Sequence, residues 1–271
     1  MSALEAIIFD VDGTLADTER DGHRIAFNAA FADAGLDWDW SVPLYGELLR
    51  VTGGKERIRA YLAEHRPDFV LPAPLDDFVR GLHQRKTEHY TEMMRQGAIG
   101  LRPGVLRLLR EAFDAGLQLA IATTTTPENV TALLSAVQVP GRYPELSRWF
   151  RVIAAGDVVP AKKPAPDIFA LALAELGLPA SACVAVEDSD NGVRSALGAG
   201  LDALLVTVSS YTEAQDFSGA ALVADGLGEP GAAPRLLAGG CAEAVAPVVA
   251  DRGLIDLAVL RELHRCACAG R

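Results

Sequence analysis

The N-terminal stretch of this chain restricts its fold more than any other feature. Residues 6–9 are apolar, with β-branched and aromatic side chains, and two acidic residues follow at spacing i and i+2, Asp10 and Asp12. Such a run indicates a buried strand, and Gly13 permits a sharp turn after it. Carboxylates just past the end of a buried parallel strand lie in the crevice where open α/β sheets bind ligands. We therefore predict an α/β fold whose site is organised around Asp10 and Asp12.

The composition narrows the class of protein. A chain of 271 residues, half of them hydrophobic, suits one large domain or two smaller ones with a real core. The net charge of −11 argues against binding to nucleic acid or to an anionic membrane. The first residues lack a basic-then-apolar signal pattern, and no stretch reaches ~18 uninterrupted apolar residues. We expect a cytoplasmic monomer that acts on a small molecule and binds neither nucleic acid nor membrane.

The four cysteines do not predict a disulfide framework in a chain of this length. Cys183 falls in a predicted strand, where it would be a small core residue. Cys266 and Cys268 lie near the C-terminus without a neighbouring pair in zinc spacing. We expect both to be free thiols on a mobile tail.

The order of the predicted elements indicates a doubly wound, Rossmann-like parallel sheet with an inserted all-helical cap. From residue 103 onward, helical patterns alternate with short apolar runs, as in a parallel sheet. Those runs predict strands over residues 118–123, 150–155, 183–186, 203–208 and, at the edge, 220–224. Residues 17–97 contain helical patterns but no strand that could join the sheet. The predicted units are a core of residues 1–16 and 98–230, a cap of residues 17–97, and a C-terminal helical tail of residues 231–271.

Two further polar groups follow predicted strands. Thr123 and Thr124 precede a helix N-terminus, where hydroxyl and backbone N–H groups can bind an anion; an ordinary helix cap explains them equally well. Lys162 and Lys163 precede another helix, and a lysine there can neutralise a phosphate and an attacking carboxylate together. A solvated surface pair is the commoner explanation of two adjacent lysines.

A third polar group, Glu187 and Asp188, ends another predicted strand. Capping of the next helix by Asp188 or Ser189 is the local alternative. Carboxylates from two strands, with Asp10 on the first, fit a site for a hard cation better. We therefore place a Mg²⁺ site at Asp10, the backbone carbonyl of Asp12, and Asp188, with Glu187 close by.

These motifs, in this order over roughly residues 5–210, resemble those of the haloacid dehalogenase-like (HAD) phosphohydrolases. The first motif reads Phe9-Asp10-Val11-Asp12-Gly13-Thr14-Leu15. The resemblance implies that Asp10 attacks phosphorus and that Asp12 is the general acid and base. It also implies that Thr123 binds the phosphoryl group, helped by the backbone of Thr124. Lys163 is then the motif lysine, and Lys162 is expected to be only solvated.

Specificity is expected from the helical cap. Glu19 and His23 follow the nucleophile closely in sequence, and Lys86 lies on the third long cap helix; a solvated helix face is the simpler explanation of His23. A basic, glycine-containing turn at a helix N-terminus suits a second anionic group. That turn comprises Arg50, Thr52, Gly53, Gly54 and Lys55.

Several stretches narrow the resemblance to the CbbY subgroup. They are Thr14-Leu15-Ala16-Asp17-Thr18-Glu19, Gly35-Leu36-Asp37-Trp38, Leu49 to Arg57, and Ile121-Ala122-Thr123-Thr124-Thr125-Thr126. The resemblance implies removal of the 1-phosphate from xylulose-1,5-bisphosphate, a misfire product and inhibitor of the Calvin-cycle enzyme Rubisco. It also implies that Glu19 contacts sugar hydroxyls. Arg50 and Lys55 would then hold the distal phosphate.

Three alternatives remain open. A β-phosphoglucomutase-like sugar phosphomutase would share every core motif and differ only in its cap, and a broad sugar-phosphate phosphatase would share the chemistry. A non-catalytic regulatory protein on the same fold is the third alternative. The intact acids and motif lysine count against that one.

Overall fold

The computed structural model describes residues 3–141 and 143–269, apart from the side chains at positions 20 and 21. Residues 1, 2, 142, 270 and 271, which belong to the predicted core and tail units, lie outside the described residues. Seven strands of the described chain form one sheet. They are β1 (Ala6–Phe9), β2 (Gln118–Thr123), β3 (Phe150–Ala155), β4 (Cys183–Glu187), β5 (Leu204–Thr207), β6 (Leu222–Ala224) and β7 (Leu236–Ala238).

The sheet has the strand order β3-β2-β1-β4-β5-β6-β7. Every neighbouring pair is parallel except β6 and β7. The first strand lies between β2 and β4, so that Ile8 pairs with Ala120 on one side and with Ala185 on the other. Its four side chains are all buried, as expected of a parallel strand with helices on both faces. The residues that follow these strands therefore meet in one crevice.

Ten α-helices accompany the sheet in the described chain. They are α1 (Arg24–Asp33), α2 (Val42–Leu48), α3 (Gly54–His65), α4 (Leu75–Arg95), α5 (Val105–Asp114), α6 (Pro127–Ala136), α7 (Asp167–Leu176), α8 (Asp190–Gly198), α9 (Ala242–Arg252) and α10 (Leu257–Ala269). Buried side chains of α5, α6, α9 and α10 join the apolar cluster on one sheet face, and those of α7 and α8 join the cluster on the other. This arrangement confirms the predicted doubly wound α/β fold. Among the described helices, none combines the length and the apolar character needed to cross a bilayer.

The four helices α1 to α4 lie between β1 and α5 and have an apolar core of their own, built largely from aromatic rings. The rings of Phe31 and Trp40 pack edge to face with centroids 4.9 Å apart, and those of Trp38 and Tyr61 do so at 5.3 Å. Such pairs add about 1 kcal/mol each beyond the area they bury. The insert is therefore a packed layer that presents fixed side chains to the sheet.

The C-terminal segment is bound to the core, which makes our expectation of a mobile tail with two free thiols wrong for Cys266. Strand β7 pairs with β6, and helices α9 and α10 pack on each other, which brings Cys241 and Cys266 within 6.0 Å between their Cα atoms. The two form a disulfide, while Cys268 is free. Sequence spacing gave no signal for this bond because only the packing of the two helices brings the cysteines together.

We expect the substitution Cys266→Ser to lower the free energy of unfolding by about 3 kcal/mol under non-reducing conditions. The bond joins residues 25 positions apart, and releasing a loop of that size in the unfolded chain accounts for a loss of this order. Urea denaturation measures it. Cys268→Ser is the matched control and should leave the midpoint nearly unchanged. Equal midpoints for Cys266→Ser and the unmodified protein would contradict a stabilising bond.

Candidate active site

A buried lysine joins the ends of two strands. Asp10 directly follows β1, Glu187 is the last residue of β4, and Lys163 lies in the loop between β3 and α7. The Lys163 ammonium donates to Asp10 Oδ1 at 2.6 Å and to Glu187 Oε1 at 2.5 Å, and all three residues are buried. The second oxygen of Glu187 accepts hydrogen bonds from the backbone N–H groups of Asp188 and Ser189. Glu187 therefore fixes the lysine against Asp10.

The same place gathers an acidic group suited to a cation. Oxygens of Asp10, Glu187 and Asp188 lie within 4.8 Å of one another. Gly13 allows this close packing, because a Cβ atom there would lie 2.1 Å from Asp188 Oδ2, and its φ of +89° also favours glycine. The structure thus brings together Asp10, Lys163, Glu187 and Asp188, which sequence reasoning had assigned to one site.

The carboxyl groups of this cluster outnumber the single positive charge of Lys163. Burial, against the opposing charge of Lys163 and with help from the carboxylate of Glu187, raises the pKa of Asp10 to about 8. Burial, Glu187 and Asp10 also raise the pKa of Asp188. The pKa of Lys163 rises because its two carboxylate partners outweigh the effect of its own burial. Three buried carboxyl groups around one ammonium fit a divalent metal ion, which prefers oxygen ligands.

The second acid, Asp12, faces the helical insert. Its Oδ1 accepts a hydrogen bond from Thr18 and lies 2.9 Å from His23 Nε2, while Lys86 Nζ lies 2.8 Å from His23 Nδ1. Burial by itself would raise the pKa of Asp12, but the charge and hydrogen bond of His23 and the hydrogen bond of Thr18 hold it well below its usual value. Burial lowers the pKa of Lys86 to about 8. Sequence reasoning named His23 and Lys86 as substrate-binding residues, whereas the structure connects them to Asp12.

The threonine loop follows β2 and reaches the same cavity as Asp10. Thr123 is buried, and its hydroxyl oxygen accepts from the backbone N–H of Thr125. Thr126 caps α6 by accepting from the N–H of Asn129. Thr123 and Thr124 both line the cavity. The N-terminus of α6 and the two hydroxyl groups provide the donors that an anionic group requires.

On the insert side, Glu19 lines the cavity and is held by two residues that sequence reasoning missed. Tyr45 donates a hydrogen bond to Glu19 Oε2, and Arg57 Nη1 donates to the Tyr45 hydroxyl at 2.8 Å. Arg57 is buried and lies 3.8 Å from Glu19 Oε2. One signal was available: Arg57 follows the glycine turn by a helical turn, which places it on the same helix face as that turn.

The glycine-containing turn reaches the cavities only in part. Arg50, Thr52 and Gly53 line the larger cavity, and Gly54 lines a smaller one next to it. The guanidinium of Arg50 forms an ion pair with Glu64. Lys55 lines neither cavity, because its ammonium is paired with Asp157.

Lys162 corrects another expectation. We expected it to be only solvated, but its ammonium lies 3.0 Å from Glu56 and 2.8 Å from Asp157 and is largely shielded. The acidic partners come from the insert and from the core, and neither could be matched to Lys162 without the fold.

The larger cavity has a volume of about 300 Å³ and separates the carboxyl ends of the strands from the insert. Core residues on its wall include Asp10, Thr123, Lys163 and Asp188, and the insert contributes the residues described above. The smaller cavity, of about 40 Å³, is lined by Asp12, His23 and Lys86 among others. Asp10, Asp12, Thr123 and Lys163 therefore all line the larger cavity.

These features define a hydrolase site, and the family follows from a comparison with known proteins. The chain belongs to the haloacid dehalogenase-like hydrolases, whose family pattern matches residues 4–200. CbbY of Rhodobacter capsulatus is 51% identical over 218 residues, which are 80% of this chain and 91% of that protein. The plasmid-encoded CbbY of Cupriavidus necator is 46% identical over 230 residues, 84% of this chain and 87% of that one.

Solved structures agree with this placement. CbbY from Rhodobacter sphaeroides in complex with phosphate is similar at a TM-score of 0.74 and 48% identity, covering 82% of this chain and 94% of that one. A mutant of the same protein, in complex with xylulose-(1,5)bisphosphate, matches with the same values. The chain thus falls in the CbbY subgroup and is a phosphatase, which confirms the family and enzyme class that the motifs indicated.

Proposed function

We propose that this enzyme removes one phosphate group from a sugar bisphosphate, with xylulose-1,5-bisphosphate as the substrate and xylulose 5-phosphate as the product. The observation that carries the proposal is the pairing of Asp10 with Lys163 beneath an insert that presents Glu19, with Asp12 retained beside them. The CbbY relative solved with that bisphosphate supports the choice of substrate.

In the proposed mechanism Asp10 attacks the phosphorus atom, and the bond to the sugar oxygen breaks as an aspartyl-phosphate forms. Lys163 keeps the carboxylate in place and offsets the repulsion between it and the phosphate. Thr123 and the backbone N–H groups at the start of α6 bind the oxygens of the transferred group. Water then attacks the aspartyl-phosphate, which releases inorganic phosphate and restores Asp10.

Asp12 handles the protons in both steps. It protonates the departing sugar oxygen and later accepts a proton from the attacking water. Its contacts with Thr18 and His23 favour the ionised form. A turn of Asp12 toward the substrate would exchange those contacts for a negatively charged neighbour and raise its pKa, because burial and like charge both favour the protonated form.

We propose Mg²⁺ as the cation of this site. Asp10, the backbone carbonyl of Asp12, and Asp188 would hold it, with Glu187 close by, as the buried excess of negative charge there favours. When bound, it would supply positive charge to the phosphate oxygens and to the attacking carboxylate.

We further propose that residues 17–97 act as the specificity cap over a core of residues 1–16 and 98–230. Glu19, fixed by Tyr45 and Arg57, would accept hydrogen bonds from sugar hydroxyls. The distal phosphate would lie at the end of the larger cavity lined by Arg50 of the cap and Arg194 of the core. Lys55 is not assigned to it, because Lys55 lines neither cavity.

A phosphate-release assay tests the proposal across xylulose-1,5-bisphosphate, xylulose 5-phosphate and glucose 1-phosphate, with Mg²⁺ and with a chelator. We expect kcat/KM for the bisphosphate to exceed that for the monophosphates by about 100-fold, since a second phosphate adds charge-assisted hydrogen bonds. Chelation should abolish turnover, and Mg²⁺ should restore it. Equal kcat/KM for all three esters would indicate a broad phosphatase. Isomerisation of glucose 1-phosphate without phosphate release would indicate a mutase.

A further inference from the structure

Four charged side chains tie the helical insert to the core beside the active site. Lys55 and Glu56 come from the first turn of α3, and Asp157 and Lys162 come from the loop between β3 and α7. Lys162 Nζ lies 3.0 Å from Glu56 Oε2 and 2.8 Å from Asp157 Oδ1, and Lys55 forms an ion pair with Asp157. We refer to these four residues as the clasp. Its charges alternate and sum to zero.

We propose that the clasp holds the turn of residues 52–54 over the nucleophile and that Lys162 is a positioning residue for substrate binding. This inference deepens the proposed function and rests on it for the identity of the substrate. Lys162 acts through the cap turn and does not touch the reacting atoms.

The packing of the turn supports a direct link to the clasp. Gly53 lines both cavities. A Cβ atom at this position would lie 2.2 Å from Glu56 Oε2 and 2.8 Å from Lys162 Nζ, and its φ of +98° is one that residues with side chains rarely adopt. Without a side chain at Gly53, the clasp can close directly against the backbone of the turn.

The other flank of the turn is tied as well. Asn191, at the start of α8, donates from Nδ2 to Thr52 Oγ1 at 2.9 Å and to the Arg50 carbonyl at 3.3 Å. The turn is thus held by the clasp on one side and by Asn191 on the other. A tie on one flank alone would leave the opposite end of the turn free to move away from the sheet.

The position of Lys162 in the chain connects the clasp with catalysis. Lys162 directly precedes Lys163, whose ammonium holds Asp10. The Lys162 side chain is 17% exposed, and those of its partners Glu56 and Asp157 are 40% and 54% exposed, so water screens these ion pairs in part. Hydrogen bonds from Lys162 and Lys55 lower the pKa of Asp157. A closed clasp therefore joins the cap turn and the phosphate-binding lysine in one rigid unit.

Hydrogen–deuterium exchange and kinetics on Lys162→Gln test the inference. This substitution removes the charge and keeps much of the side-chain length. We expect amides of residues 52–58 to exchange about fivefold faster, because the two partly shielded ion pairs of Lys162 are lost. We also expect KM for xylulose-1,5-bisphosphate to rise about fivefold with kcat changed by less than about twofold, because ground-state binding is what the turn supports. Glu56→Gln should act similarly, and Lys162→Arg should restore both quantities.

The matched control is Arg59→Gln, which breaks an ion pair with Asp76 that lies wholly within the insert, 2.8 Å long. It should change neither the exchange of residues 52–58 nor KM. Amides of α10 report whether the fold survives in each variant. Unchanged exchange at 52–58 in Lys162→Gln, or an equal increase in Arg59→Gln, would overturn the inference. The exchange measurement needs no substrate. If xylulose-1,5-bisphosphate is not turned over, that result counts against the proposed function and does not affect the inference about the clasp.

Discussion

Asp10→Asn should reduce kcat by at least about 10⁴-fold, because an amide cannot form the aspartyl-phosphate and loss of a nucleophile has effects of this size or larger. Phosphate release from xylulose-1,5-bisphosphate under saturating substrate measures the loss. The backbone need not move, since Asn has the shape of Asp and Lys163 keeps its bond to Glu187. Activity within tenfold of the unmodified enzyme would refute the assignment of Asp10 as the nucleophile.

The same variant should be at least as stable as the unmodified protein when divalent cations are chelated. Burial raises the pKa of Asp10 from its ordinary value of 3.8 to about 8. When the pKa of a carboxyl group is higher in the folded than in the unfolded state, the free energy of unfolding of the protein decreases as the pH rises between those two values. A neutral Asn does not carry this penalty, so its melting temperature at neutral pH should not fall. Asp251→Asn, on the exposed face of α9, is a control for the chemistry of the substitution. A clear drop in melting temperature for Asp10→Asn alone would contradict this account.

The sheet could be read from the sequence because its strands are short apolar runs with polar or glycine residues at their ends. The strands Gln118–Thr123 and Phe150–Ala155 have the predicted bounds. Strand β7 was missed, since three residues give no periodic signal and its pairing depends on the neighbouring strand. Helix α2 was missed as well, although Ser41 caps it and Pro43 lies in its first turn, because its seven residues are too few to show a helical period.

The sequence predicts the site residues whose positions depend only on where strands end. Thr123 ends a strand, and Asp10, Lys163 and Asp188 lie beyond the ends of others. Parallel strands bring their carboxyl ends to one crevice. Hydrogen-bond partners could not be derived in the same way. The contact between Lys86 and His23 joins residues 63 positions apart, and it depends on how α4 packs on α1. The pairing of Lys55 with Asp157 could not be predicted either, because Asp157 lies on the core and Lys55 on the insert.

Lys163→Ala should be the most damaging of these substitutions for stability, and it should also impair turnover severely. It leaves Asp10 and Glu187 buried without their shared cation, next to Asp188. Removing one partner from a buried ion pair destabilises proteins by about 3–5 kcal/mol, and we expect a loss of that order in urea denaturation with a chelator present. We expect kcat to fall by at least about 10³-fold, because the attacking carboxylate is then neither held in place nor shielded from the phosphate charge. Lys163→Met, which fills the space without charge, should be similarly impaired.

The dependence of this loss on pH separates an electrostatic cause from a packing defect. Without the lysine, the pKa of Asp10 in the folded state should rise further, because burial and repulsion from Glu187 are no longer opposed. The folded variant then binds more protons than the unfolded chain over a wider range, so its stability falls as the pH rises. The difference in unfolding free energy between variant and unmodified protein should therefore be larger at about pH 8 than at about pH 5. Mg²⁺ should recover part of the stability, since it offsets the same charges, but little of the turnover. A deficit that is independent of pH and of Mg²⁺ would mean that Lys163 stabilises the fold by packing alone, for example against the ring of Phe169 at 4.8 Å.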